Sequence, residues 1–126
     1  MRWWRRFLKS LVQHGRHVTA NLEFGTLEGR IIVSNHGGRQ VDGSVAPLRV
    51  LPEIWAAVPD MVVMMDSGIR RGSDVLKAVA LGARMVFLGR PFMYAAAVGG
   101  AQGVHHAITL LRDEVDRNMA MLGATS

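Results

Sequence analysis

Ile31-Ile32-Val33-Ser34-Asn35-His36-Gly37-Gly38-Arg39-Gln40 decides how the rest of the chain is read. The β-branched run Ile31–Val33 has the length and composition of a buried strand. It stops at polar residues and a Gly-Gly pair, so the strand ends in a tight loop with His36 and Arg39 at its mouth. A guanidinium holds a carboxylate in a bidentate fork, and an imidazole takes a proton near neutral pH. The two glycines admit a ligand close to the backbone. A solvated glycine-rich turn is the plainer alternative for the same residues.

The same pattern recurs downstream. Met61-Val62-Val63-Met64-Met65 is a second apolar strand, ending at Asp66, and Met85-Val86-Phe87-Leu88 is a third, ending at Gly89-Arg90-Pro91. Between the first two strands, Pro47 to Val58 reads as a helix with Leu48, Leu51, Ile54, Trp55 and Val58 on one face and Pro52 in its first turn. Ser73 is the expected N-cap of a second helix that carries Val75, Leu76, Val79 and Ala80 and ends at Gly82. A short Ala-rich helix follows the third strand. A final helix runs from about Gln102 to Met121, with Val104, Ile108, Leu111, Val115 and Leu122 toward the core. Continuous apolar strands alternating with helices are βα units, which build a parallel sheet in an α/β fold. The Gly99-Gly100 pair reads as a turn.

Residues 1–29 divide from the body at 30–126. Trp3, Trp4, Phe7, Leu8, Leu11 and Val12 share one face of a helical pattern over residues 2–14, opposite Arg2, Arg5, Arg6, Lys9 and Gln13. Such a helix lies on a membrane surface or packs its aromatic face on the protein's own core. Residues 15–30, broken by Gly15, Asn21, Gly25 and Gly29, read as a linker.

The net charge of +5 sits in residues 1–16, because Arg2, Arg5, Arg6, Lys9 and Arg16 precede any acid and the ten basic and ten acidic residues after Arg16 cancel. A neutral body without an aromatic-basic platform argues against nucleic-acid binding. With 49% hydrophobic residues in 126, the chain suffices for one ordinary domain. It has no cysteine, which excludes disulfides, thiolate metal sites and cysteine nucleophiles. No metal site is expected.

In a parallel sheet the three strand ends share one edge, where ligands of α/β proteins bind. The first supplies Ser34, His36 and Arg39. The second supplies Asp66-Ser67-Gly68-Ile69-Arg70-Arg71-Gly72, whose glycines, arginines and helix N-terminus suit a phosphate. The third supplies Gly89 and Arg90.

SNHGGRQ, DSGIRRGSDVLKAVALGA and FLGRP, in this order and spacing, resemble the FMN-dependent α-hydroxy-acid dehydrogenases and oxidases, over residues 31 to about 125. The resemblance implies the last three βα units of a (β/α)8 barrel, incomplete here, preceded by the amphipathic helix. It implies FMN as cofactor and oxidation of a small L-2-hydroxy acid, lactate- or mandelate-like, to the 2-oxo acid. His36 resembles the family's base and Arg39 its carboxylate ligand. Ser34 falls near the flavin ring. Asp66, Ser67, Gly68, Ile69 and Arg70 match the loop that binds ribityl and phosphate. Gly89 and Arg90 match the second phosphate contact. Asp66-Ser67-Gly68 is closer to the membrane-associated bacterial dehydrogenases than to glycolate oxidases, and residues 2–22 resemble the segment with which those enzymes touch the membrane.

The family's flavin-contacting Lys and the Asp that orients its His have no counterpart here. The resemblance therefore implies a truncated form of weak activity, self-associating, cytoplasmic and peripheral on the membrane. The alternative is a non-catalytic fragment that binds FMN, phosphate or a membrane surface.

Overall fold

The computed structural model describes residues 19–20, 22–27 and 29–125, with side-chain surroundings from residue 29 onward. The basic helix expected over residues 2–14 lies outside them. The described strands are β1 (Thr19–Ala20), β2 (Leu22–Leu27), β3 (Arg30–Ser34), β4 (Val62–Asp66) and β5 (Met85–Phe87). The helices are α1 (Pro47–Ala57), α2 (Gly72–Ala80) and α3 (Arg90–Leu122). One sheet runs in the order β1-β2-β3-β4-β5. β3, β4 and β5 are parallel, with Ile31 opposite Val63 and Met65 opposite Val86. The three expected strands and the α/β alternation are therefore present.

The linker expected over residues 15–30 holds two strands instead. β2 pairs antiparallel with β3, Phe24 opposite Val33 and Thr26 opposite Ile31, and β1 pairs antiparallel with β2. Leu22, Phe24 and Thr26 alternate with Glu23 and Gly25 at the strand period, a signal hidden by the punctuating Asn21 and Gly25. β2 occupies the edge that β3 would otherwise expose.

The core lies between the sheet and α1 and α2. Ile31 and Val33 from β3, Val63 and Met65 from β4, Leu51 and Ile54 from α1, and Ala78 from α2 are buried together. Met64 on the opposite face of β4 is buried as well, as expected of a central parallel strand. β5 departs from that expectation: Met85 is 53% and Phe87 40% exposed. It has three residues and pairs, among the described strands, only with β4.

Helix boundaries follow from their caps. Pro47, not Pro52, occupies the first turn of α1, because φ near −65° and a missing N–H suit that position. Pro52 is interior, where it has no N–H for the carbonyl four residues earlier. Trp55, expected in the core, is 53% exposed. Its ring instead lies against Gly82, where a Cβ would come within 2.6 Å of Trp55 Cγ.

Ser73 is not the N-cap of α2. Arg71 takes that position, and Asp74 Oδ2 accepts from the backbone N–H of Arg70 and of Arg71, both at 3.0 Å. The longer reach of Asp74 from the third helical position brings one carboxylate to both donors. Val79, expected on the buried face of α2, is exposed, and Ala78 is buried in its place.

α3 is broken at Gly99 and Gly100, the latter at φ +56°, which matches the expected division into an Ala-rich helix and a final one. The corner is tight enough that a Cβ on Gly103 would strike the Ala95 carbonyl. Beyond it α3 runs along α2. Val104, Leu111 and Val115 are half-buried, but Ile108 and Leu122 are exposed. α3 meets the body along one narrow line, so an apolar stripe five residues long is only partly covered.

At that line Gly72 is buried against the α3 backbone, and a Cβ there would lie 2.5 Å from Val115 N. Glu114 closes the contact: Oε2 accepts from Gly72 N at 2.8 Å and Oε1 from Arg71 Nη1 at 2.9 Å. The Gly72 N–H above all, then the Arg71 guanidinium, holds the Glu114 carboxyl below its ordinary pKa.

Two outcomes follow from this packing. Gly72→Ala should lower stability by about 1–3 kcal/mol through overpacking, whereas Gly89→Ala, with open space around it, should stay within about 0.5 kcal/mol of the parent in urea denaturation. A lowered folded-state pKa means that the Glu114 contribution is present above the unfolded value, about 4.3, and lost as pH falls through the folded one. The melting temperatures of parent and Glu114→Gln should therefore differ at pH 7 and converge as the pH falls below the unfolded Glu value and through the lowered folded one.

Candidate functional site

The three parallel strands deliver their C-terminal ends to one edge, and the loops that follow them meet there. Ser34 closes β3 and Asp66 closes β4. Their side chains join directly, Ser34 Oγ donating to Asp66 Oδ2 at 2.8 Å. Ser67 adds a second donor to the same oxygen at 3.1 Å. Ser34 is buried, unusual for a hydroxyl unless it is bonded. It also accepts from His36 N at 3.1 Å.

After Ser34 the chain makes a single 3-10 turn over His36–Gly38. Three successive residues are left-handed: His36 at φ +55°, Gly37 at +66° and Gly38 at +69°. The glycines take this conformation freely, but His36 does not. Local bonds hold it. Asn35 Oδ1 accepts from Gly37 N at 3.0 Å, and Asn35 Nδ2 reaches the Val45 carbonyl at 3.3 Å.

The other two loops fasten the peptide groups of Gly37. Ser67 Oγ accepts from Gly37 N at 3.0 Å. Arg90 Nη2 donates to Gly37 O at 2.8 Å. A Cβ on Gly37 would sit 2.8 Å from that guanidinium. Ser67 is itself left-handed, at φ +78°, a cost of about 1–2 kcal/mol for a residue with a Cβ. Its hydroxyl bonds to Gly37 and Asp66 offset that strain.

These loops enclose a cleft of about 190 Å³ lined by His36, Gly37 and Arg39 from the first, Asp66 to Arg70 from the second, and Phe87 to Arg90 from the third. Of the ten residues expected at the site, His36, Arg39, Asp66, Ser67, Gly68, Ile69, Arg70, Gly89 and Arg90 line it, and Ser34 lies just beneath, bonded to Asp66. A second cleft of about 410 Å³ adjoins it, sharing Gly37, Ser67, Gly68, Ile69, Arg70 and Arg90 and extending past Gly38, Pro47 and Leu48.

Three arginines and one acid, Asp66, line the smaller cleft, so its walls favour an anion. Gly68, at φ +85°, and Gly89 each have no heavy atom within 4 Å of a would-be Cβ, which leaves the backbone open to a ligand. Guanidinium groups and open backbone suit a phosphate, and a carboxylate with hydroxyls suits a polyol. The residues present therefore fit the phosphate end and polyol chain of FMN.

One part of the expected anion site is not available. Three N–H groups at the N-terminus of α2 are engaged: Arg70 N and Arg71 N go to Asp74, and Gly72 N goes to Glu114. Two carboxylates already neutralise that helix end. The N-terminus of α3 begins at Gly89, which has no side chain, and Pro91 follows in its first turn. Sequence reasoning missed Asn35, Asp74 and Glu114. Asp74 carried a signal, an acid three residues after the cap; Glu114 lies 42 residues from Gly72 and carried none. Among the described residues no group of histidines, cysteines and acids is arranged to hold a metal ion. No helix among them is long and apolar enough to cross a membrane.

The model of the FMN-dependent dehydrogenase family matches residues 12–126. The chain is similar to the L-lactate oxidase of Nostoc sp., 53% identical over 96 residues that make 75% of this chain and 26% of that protein. It is 46% identical to the L-lactate dehydrogenase (cytochrome) of Saccharomyces cerevisiae over 121 residues, 91% of this chain and 20% of that one. Among solved structures, mandelate oxidase with benzoyl-formic acid superposes with a TM-score of 0.78 at 43% identity, covering 95% of this chain and 32% of that chain. The monotopic membrane protein (S)-mandelate dehydrogenase gives 0.73 at 46%, covering 76% and 26%. The chain thus spans about a fifth to a third of the length of these relatives. On the match across residues 12–126, the chain belongs to the FMN-dependent dehydrogenases, a family of FMN-dependent enzymes.

Proposed function

We propose that the chain carries the last three βα units of a (β/α)8 barrel and, with them, the base and the phosphate grip of an FMN-dependent enzyme. The reaction is oxidation of a small L-2-hydroxy acid, lactate- or mandelate-like, to the 2-oxo acid. The observation that carries it is the single cleft lined by His36, Arg39, Arg70 and Arg90. A proton acceptor, a carboxylate-binding cation and two phosphate-binding cations there share one hollow.

FMN, when bound, would supply the acceptor for the hydrogen and the two electrons that leave the substrate's α-carbon. The chain's residues do the rest. Arg39 holds the substrate carboxylate in its fork and so fixes the α-carbon. His36 takes the hydroxyl proton. Arg70 and Arg90 balance the phosphate charge, while Gly68 and Gly89 let its oxygens reach the backbone. Asp66 and Ser67 would accept from ribityl hydroxyls. Ile69, buried beneath the second loop, fixes that loop's depth, and Ser34 supports Asp66 from below.

The chain is further proposed to be cytoplasmic and peripheral on the membrane, with residues 2–14 as the contact. The likeness to a monotopic membrane protein supports that reading. Self-association is proposed on the exposed Phe87, Met93 and Tyr94 beside β5.

The test is anaerobic addition of L-lactate or (S)-mandelate to the FMN-reconstituted chain. Loss of the oxidised flavin absorbance is expected. His36→Ala should keep FMN and slow the bleaching by about 10²–10⁴-fold. Arg70→Ala and Arg90→Ala should each weaken FMN binding by about 1.5–3 kcal/mol, the worth of a hydrogen bond to a charged group. FMN binding without bleaching by either acid would leave a phosphate-binding fragment and overturn the catalytic reading.

A further inference from the structure

Arg70 and Arg71 are adjacent and identical in chemistry, yet the fold uses them differently. Arg70 lines both clefts, and its Nη1 donates to the Ile69 carbonyl at 2.9 Å. Arg71 lines neither. Its guanidinium turns to the other side of the loop and meets Glu114 Oε1 at 2.9 Å. The second oxygen of the same carboxylate takes Gly72 N at 2.8 Å. The backbone of Glu114 is fixed in turn, since Asn118 Nδ2 donates to its carbonyl at 2.7 Å and Gly72 packs on the α3 backbone at Glu114–Val115. One carboxylate, delivered from the far half of α3, thus grips the last residue of the loop and the first of the helix.

We propose that Glu114 is a positioning residue for the anion site: by anchoring Arg71 and Gly72 outside the cleft, it leaves Arg70 as the arginine of the pair that serves the phosphate. The inference rests on the reading of that cleft as the FMN phosphate site. It also accounts for the closed N-terminus of α2. Asp74 takes the N–H groups of Arg70 and Arg71 while Glu114 takes that of Gly72. The two acids engage the N–H groups of the last two loop residues and of the first helical residue, and so fix the end of the loop onto α2. A phosphate is then met by Arg70 and Arg90 from the side of the cleft.

Simple electrostatics and positioning make opposite forecasts for Glu114→Ala. Removing a carboxylate from an anion-binding region raises the local positive charge and frees Gly72 N–H, so electrostatics alone tightens FMN binding. If Glu114 positions the arginine pair, binding weakens instead.

The experiment uses the full chain in two measurements. Quenching of FMN fluorescence gives the dissociation constant of the parent, Glu114→Ala and Glu114→Gln. Side-chain ¹⁵N relaxation of Arg70 and Arg71 Nε, without ligand, reports which guanidinium is restrained. Glu114→Ala should raise the dissociation constant by about tenfold or more, the usual cost of removing a supporting partner. It should also release Arg71. Glu114→Gln keeps one acceptor oxygen and should fall between; it carries the comparison if the alanine variant does not fold. An unchanged or lower dissociation constant in both variants overturns the proposal. A parent that does not quench FMN sinks the cofactor reading instead. The positioning role for that site falls with it, whereas a parent that quenches FMN but shows equal Arg71 mobility in parent and variant overturns the anchoring by Glu114 alone.

Discussion

The peptide groups on either side of Gly37 are the point on which the site depends. The N–H is taken by Ser67 from the loop after β4, and the carbonyl by Arg90 from the loop after β5. Loops that follow three separate strands are thereby locked at one residue. The lock demands glycine, because φ is +66° and Arg90 leaves no space for a Cβ. It also explains two unfavourable conformations. Among the described residues, His36 and Ser67 are the two non-glycine residues with positive φ, and they flank the bonds that make the lock. Strain of this kind persists only where neighbouring contacts over-determine it. Here those contacts bring an imidazole and three guanidinium groups to a common hollow.

Charge is distributed with the same economy. The two helices that begin at this edge of the sheet start differently. α2 receives two carboxylates at its N-terminus, and α3 receives no side chain. The anion-binding capacity is thereby concentrated on Arg39, Arg70 and Arg90 and on the open backbone at Gly68 and Gly89. Asp66 is kept at the cleft by hydroxyl donors from Ser34 and Ser67, so a single acid sits among cations without closing them off.

Much of this was legible locally. Ile31–Val33 and Val63–Met65 are apolar runs bounded by breakers, and a parallel pair follows from such runs separated by a helix. SNHGGRQ and DSGIRRG announced loops, because left-handed turns need glycine and strand ends need polar stops. Elements whose partners are remote were less legible. β2 looked like a linker, since a strand interrupted by Gly25 is defined by its pairing with β3. Trp55 and Ile108 sit on apolar stripes, yet burial depends on whether a second layer covers the stripe.

The order of polar and apolar residues alone determined the strand ends, the chemistry that each loop carries and the family to which the chain belongs. These are properties of short windows, where periodicity, glycine and charge act over a few residues. Tertiary structure decided which donors remain for a ligand. Whether the N–H of Gly72 is available depends on Glu114, 42 residues away in sequence, and the Arg71 guanidinium is bonded to the same carboxylate. Such outcomes are settled by which groups packing brings within hydrogen-bond distance, and no local pattern encodes a contact between a loop and the far half of a helix.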